Sequence, residues 1–479
     1  MINVELPDSL KKLNILSLNV KIFKCFGLLV DYSQVTNRWK AAFFLFLQAL
    51  TIFLHAQHLI CTSIEMYILR NSPNDIGYGF IFAIAHAKNV LKLGVLIVYR
   101  TKYIRLFKSL DNNYLIQGKP PTDVELASLA NYFQLTMRLG KYIWTSFVLT
   151  ALSICFNTPP RPNLDKMLNS TSGDQMTIRR DSGMKEWFPV RGVESPYFEL
   201  TTAYELLTMA VYFVCVNLMN VTFLALIIYA TAQFSLLADS LKNATTNVAD
   251  TFKDRGGNSV SKKKLDSDDN SSGELEETAN TQLHCRITSK CVDSGSSPGS
   301  AAIGTSAVQF HVQMLLYLNK CIKHHQRLLA FSKQLNEAVA PVMFMQMLCT
   351  AVLLAFIGVL LSSASESAEY VRAVSFLCYV LMEFGLICWI SAELQAQSER
   401  VGTAALLCEF YEEPVKFQKS VSLIVMRSQR PVRLSAGPFG SLSLELFGTV
   451  REKIQRPNLH VSDLHHLHAQ LQHNTYYLH

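Results

Sequence analysis

LLTMAVYFVCVNLMNVTFLALIIYATAQFSLL, Leu206 to Leu237, is the stretch that decides the class of this chain. It holds no Lys, Arg, Asp or Glu. As a helix it would be about 48 Å long, against a bilayer hydrocarbon core of about 30 Å. Five further apolar blocks accompany it: Ala41 to Ile64, about Ile76 to Tyr99, about Tyr142 to Phe156, Val339 to Leu361, and Val371 to Ile390. A weaker seventh, Leu434 to Val450, stops at Arg451. One such block could be the buried helix of a soluble domain. Six or seven in series predict an all-α polytopic membrane protein, a seven-helix bundle whose last helix is truncated.

Composition agrees. Of 479 residues, 49% are hydrophobic and 17% charged, below the quarter or so usual in soluble domains. The net charge of +7 is spread over the segments between apolar blocks, which suits membrane orientation and not nucleic-acid binding. The eleven cysteines form no C-x-x-C pair and read as free thiols in apolar blocks or on the reducing side. Met1 to Asn37 lacks the pattern of a cleaved signal peptide.

Basic residues set the orientation. Lys11, Lys12, Lys21, Lys24, Arg38 and Lys40 precede the first block, and Arg100, Lys102, Arg105, Lys108, Lys119 and Arg138 lie between the second and third. Arg400, Lys416, Lys419, Arg427, Arg430 and Arg433 follow the sixth, whereas Ser362 to Tyr370 before it has two glutamates and, up to Tyr370, no basic residue. The N-terminus is therefore expected in the cytoplasm of a multi-pass plasma-membrane protein. The long connection Asn157 to Thr202 falls outside, where Asn169-Ser170-Thr171 is a glycosylation acceptor. This orientation is opposite to that of a G-protein-coupled receptor.

These features divide the chain into a cytoplasmic segment (1–40), four spans (41–237), a cytoplasmic loop (238–308), anchor extensions with the last three spans (309–450), and an atypical tail (451–479). The loop includes KKKLDSDDNSSGELEETANT and SGSSPGSAAIGTS, which lack the apolar area needed to offset ordering. It reads as partly disordered or as non-native sequence from an unspliced intron. The tail carries His460, His465, His466, His468, His473 and His479. Such density can bind zinc or nickel, but its break with the preceding apolar pattern reads better as an altered gene end. We therefore expect no metal site, and also no cofactor.

No phosphate loop, H-E-x-x-H or nucleophile elbow is present, so we expect no enzyme. Polar residues inside spans carry the functional information, because hydrocarbon penalises them. Lys88 and Lys92 share a helix face, with His86 on another. They are weak candidates for a ligand pocket; in the plainer readings Lys88 and Lys92 snorkel or pair with a neighbouring helix, or the span is drawn too long. Glu383 in the sixth block could meet one of them. His55 and His58 share a face and suit helix packing.

Several stretches resemble the insect odorant receptor family. They are Trp187-Phe188-Pro189 with SPYFEL (Ser195 to Leu200), CIKHHQRLLAF (Cys321 to Phe331), Asn336-Glu337, and Pro341 through Gln346. Gly385, Cys388, Ser398 and Phe410-Tyr411 follow, and then MRSQRPVRLSAGPFGSLSLELF, Met426 to Phe447. The resemblance implies an odorant-tuning subunit of a ligand-gated, non-selective cation channel in olfactory neurons. It would assemble with a shared co-receptor subunit into a hetero-tetramer and take a small volatile ligand in a mainly apolar pocket between the second, third, fourth and sixth spans. It also implies a cytoplasmic anchor from Met426 to Arg433, with Ser428 and Pro431. A pore helix would begin over Ala436 to Val450, with Ser441, Leu442, Ser443, Leu444 and Phe447. A gustatory-type receptor of the same architecture is the alternative, although its Thr-Tyr and Gln-Phe pattern is missing. A product of a misannotated gene is the other. A transporter would need an internal repeat or paired broken helices, and the sequence shows neither.

Overall fold

In a computed structural model, the residues described are 15–32, 35–68, 73–111, 123–156, 161–162, 178–179, 197–250, 298–364, 367–437, 440–445 and 448. They include nine helices labelled here and one small strand pair, besides a short helical run at 244–250. α1 is Ile15–Cys25, α2 Arg38–Ile68, α3 Pro73–Val98, α4 Arg100–Asp111 and α5 Asp123–Phe156. After β1 (Arg161–Pro162), paired antiparallel with β2 (Ile178–Arg179), come α6 Tyr197–Lys242, α7 Pro298–Ser363 and α8 Ser367–Leu407. A 3₁₀ turn, Phe410–Glu412, leads to α9, Val415–Ser428.

Five of these helices, α2, α3, α6, α7 and α8, are long and apolar enough to cross a membrane. The block at Tyr142 to Phe156 is the C-terminal half of α5, whose N-terminal half is polar. With 46, 66 and 41 residues, α6, α7 and α8 would be about 69, 99 and 62 Å long if straight. Each therefore projects well beyond 30 Å of hydrocarbon.

Two boundaries differ from the sequence reading. α7 begins at Pro298, and residues 244–250 are helical, so the loop drawn from 238 to 308 loses both ends to helix. Residues 251–297 lie outside those described. The helix expected from Leu434 is also corrected, because residues 431–436 and 440–443 are not helical and α-helix is described only at 444–445 and 448. The reason is the turn chemistry of GPFG: Gly437 and Gly440 take φ of 62° and 91°, a region open to glycine and costly for other residues. The loop closes on itself, with Ala436 N donating to Gly440 O at 2.9 Å and Leu442 N to Leu434 O at 2.8 Å. The tail and its histidines, 451–479, are outside the described residues.

Burial follows position in the bundle and not hydrophobicity: α2 buries Thr51, His55, His58, Cys61 and Thr62 and turns its large apolar side chains outward. α6 is apolar on every side, the mark of a helix enclosed by others: 83% of its most apolar window is buried, against 17% in α2. α5, α7 and α8 pack around it. α2 lies at the periphery and presents Trp39, Phe43, Phe46 and Phe53 outward. An apolar face of that size needs lipid or a partner, not water.

Candidate ligand-binding site

Lys88 and Lys92 both point into the bundle, 4% and 2% exposed. Facing them is Glu383 of α8, 3% exposed. Lys88 Nζ donates to Glu383 Oε2 at 3.0 Å and Lys92 Nζ to Oε1 at 3.3 Å. Lys92 Nζ also donates to Asn220 Oδ1 of α6 at 2.9 Å, and Asn220 Nδ2 donates to Glu383 Oε1 at 2.8 Å. One carboxylate thus gathers three helices. An unpaired charge in so apolar a bundle would cost several kcal/mol, and each of these charges has an opposite partner within hydrogen-bonding distance.

Beside this cluster lies a cavity of about 90 Å³, lined from α3, α5, α6, α7 and α8. Its walls are mainly apolar, with Phe82, Phe147, Phe213 and Phe376 supplying aromatic faces. Phe147 stands edge-on to Phe213, with ring centroids 4.3 Å apart. Polar groups are few: His86, Lys88, Asn89, Thr150 and the hydroxyls of Tyr212 and Tyr379. Asn89 Nδ2 donates to Tyr212 Oη, which in turn donates to Ala85 O at 3.2 Å. Thr150 Oγ1 donates to Ser146 O at 2.9 Å within its own helix.

Of the three candidates from sequence, His86 and Lys88 border the cavity, while Lys92 is behind the wall in the ion cluster. The pairing of both lysines with a neighbouring helix is what the structure shows. His58 stacks on His86 at 5.4 Å between centroids, and His86 meets Tyr212 edge-on at 4.8 Å. His55 Nδ1 bonds Thr51 O at 2.8 Å. His55 and His58 of α2 thus pack behind His86 and Tyr212. Asn220 and Tyr212 were missed, although an Asn inside the most apolar block was a readable signal.

The anchor residues form a separate cluster. Ser428 packs against Gly402, where an added Cβ would stand 2.8 Å from the serine Cβ. Val432 N, just after Pro431, donates to Ser398 Oγ at 2.9 Å. Ser435 N donates to Asn336 Oδ1 at 2.8 Å. Ala436 and Leu442 are buried, Ser441 bridges to Ser435, and Leu444 is exposed. Ser443 continues this loop. Thus Ser398, Gly402 and Asn336 meet Val432, Ser428 and Ser435 of the signature in space. Phe447 and Asn169 lie outside the described residues.

The fold and the site define a polytopic helical bundle with a mainly apolar cavity between its spans. The family model "7tm Odorant receptor" matches residues 72–452, and the chain belongs to that family, one of receptors and not of enzymes. It is similar to odorant receptor Or2 of Anopheles gambiae, 27% identical over 148 residues, covering 30% of this chain and 39% of that one. Odorant receptor 67a of Drosophila melanogaster is 31% identical over 127 residues, 26% of this chain and 31% of the relative. The odorant receptor coreceptor of Anopheles gambiae is 22% identical over 130 residues, 27% of each. The matched stretch spans less than two fifths of these relatives. The olfactory receptor OR5 of Machilis hrabei, solved in complex with eugenol, shares the fold: TM-score 0.60 at 12% identity, covering 93% of this chain and 95% of that one.

Proposed function

We propose that this chain is the odorant-tuning subunit of a ligand-gated, non-selective cation channel in the plasma membrane of olfactory neurons. The observation that carries the reading is the cavity itself, mainly apolar, lined by five helices and supplied with a handful of polar groups. Such a site suits a small volatile molecule, which has much apolar surface and one or two polar atoms. The chain would assemble with a shared co-receptor into a hetero-tetramer, its N-terminus in the cytoplasm. His86 and Lys88 would contact ligand, and the helix beginning near Leu444 would line the pore.

The test is expression in oocytes with and without an insect co-receptor, under a panel of volatile compounds. An odorant-evoked cation current that needs both subunits is the expected result. Surface-localised protein that yields no current with any compound, co-receptor present, would refute the channel reading.

A further inference from the structure

The ion cluster beside the cavity does not balance: two ammonium groups, Lys88 and Lys92, share the single carboxylate of Glu383. No other acidic side chain is bonded to them among the described residues, and no acidic residue borders the cavity. The two lysines differ. Lys92 is held by both Glu383 and Asn220 and stays behind the wall. Lys88 borders the cavity, is 4% exposed, and spends one donor on Glu383. An ammonium has three donors, so it has donors left for a molecule in the cavity.

From this geometry we infer that the cavity is tuned to small organic acids, the ligand carboxylate pairing with Lys88 and its hydrocarbon part lying against Phe82, Phe147, Phe213 and Phe376. The inference rests on the odorant-receptor reading of the same cavity and adds the ligand's chemical class. A monocarboxylate supplies the missing negative charge: Glu383 stays with Lys92 and Asn220, and the ligand takes the surplus positive charge of Lys88. A neutral alcohol or alkane leaves that charge uncompensated in an apolar enclosure. An amine adds a third positive charge to it. Electrostatics therefore ranks acids first, neutral analogues next and amines last.

The experiment uses the full chain, purified in lipid nanodiscs for thermal stabilisation and co-expressed with a co-receptor for current. The probes are butanoic, hexanoic and octanoic acid, with the alcohol, aldehyde and amine of each chain length. Wild type should bind its best acid about tenfold or more tighter than the matching alcohol, and the amine weakest, because a charge-assisted bond is at stake. Lys88→Met leaves one lysine facing one carboxylate, and should erase or invert the preference for acids. Lys88→Arg keeps the charge and should keep the ranking, which guards against misreading a folding defect in the first variant. Preference for alcohols or amines in the wild type, or an unchanged ranking in Lys88→Met, overturns the inference. If acids stabilise the nanodisc protein but evoke no current, the ligand assignment stands and the channel reading fails.

Discussion

Replacing Glu383 by Gln removes the one negative charge that holds Lys88 and Lys92 in the bundle. The glutamine keeps the volume and can still accept a hydrogen bond, so packing should change little and electrostatics should dominate. Both ammonium groups are nearly excluded from solvent, with side-chain exposures of 5% and 2%. Leaving one partner of a buried ion pair uncompensated typically costs about 3–5 kcal/mol. Here two such cations would be stranded, so the loss should reach at least the lower end of that range. Replacing all three groups with apolar residues, as in Lys88→Met/Lys92→Met/Glu383→Leu, should recover most of the lost stability, since a buried ion pair is commonly no more stabilising than a well-packed apolar replacement. The assay is thermal unfolding of the purified protein in nanodiscs, followed by thiol-reactive dye, together with surface abundance in cells. The expected order is wild type close to the triple variant, and Glu383→Gln far below both. If Glu383→Gln melts with wild type, or the triple variant is as unstable as the single, the cluster does not carry the weight assigned to it.

Four further predictions concern the rest of the bundle. Gly27 has φ of 70°, and a Cβ there would stand 2.8 Å from Gln48 N and collide with the Phe44 carbonyl of α2; Gly27→Ala should sharply reduce surface expression, measured by an epitope tag. Tyr103 is buried and donates from Oη to Ala338 O at 2.7 Å, so Tyr103→Phe should cost about 1 kcal/mol, read as a lowered melting temperature in nanodiscs. Burial pushes the Cys408 thiol up to about 11. It therefore stays protonated at neutral pH, and maleimide should modify it far more slowly than the exposed Cys25, the gap narrowing only as pH rises toward that value. Gly402→Ala should destabilise by about 1–3 kcal/mol through overpacking against Ser428, and Ser428→Gly in the same chain should restore the melting temperature.

Much of the fold could be read from the order of apolar blocks, because hydrocarbon demands helices of a set length and leaves few alternatives. The centrality of α6 was also legible in a stretch with no charged residue for 32 positions, since a helix apolar all round has no face for water. The pairing of Glu383 with lysines of the second block could be named as a possibility and no more. Spacing within one helix shows which residues share a face, but which helix is the neighbour depends on long-range packing. Tyr212 and Asn220 sit among apolar residues and were passed over for that reason. The start of the last helix was misplaced for a local cause: Leu434, Ala436 and Leu442 are apolar and buried and extend the apolar block backwards, yet the Gly-Pro-Phe-Gly between them was the stronger signal.

α8 joins the two clusters of this protein. Glu383 lies beside the cavity, and Ser398 and Gly402 lie at the anchor loop, on one unbroken helix from Ser367 to Leu407. From Glu383 to Ser398 is about 22 Å of helix axis. One continuous helix of that length ties the position of Glu383 to that of Ser398. The contacts at the far end are small and directional, a serine hydroxyl accepting from Val432 N and a glycine against Ser428. The same carboxylate that pairs with the buried lysines is therefore fixed to the helix that also holds the anchor loop.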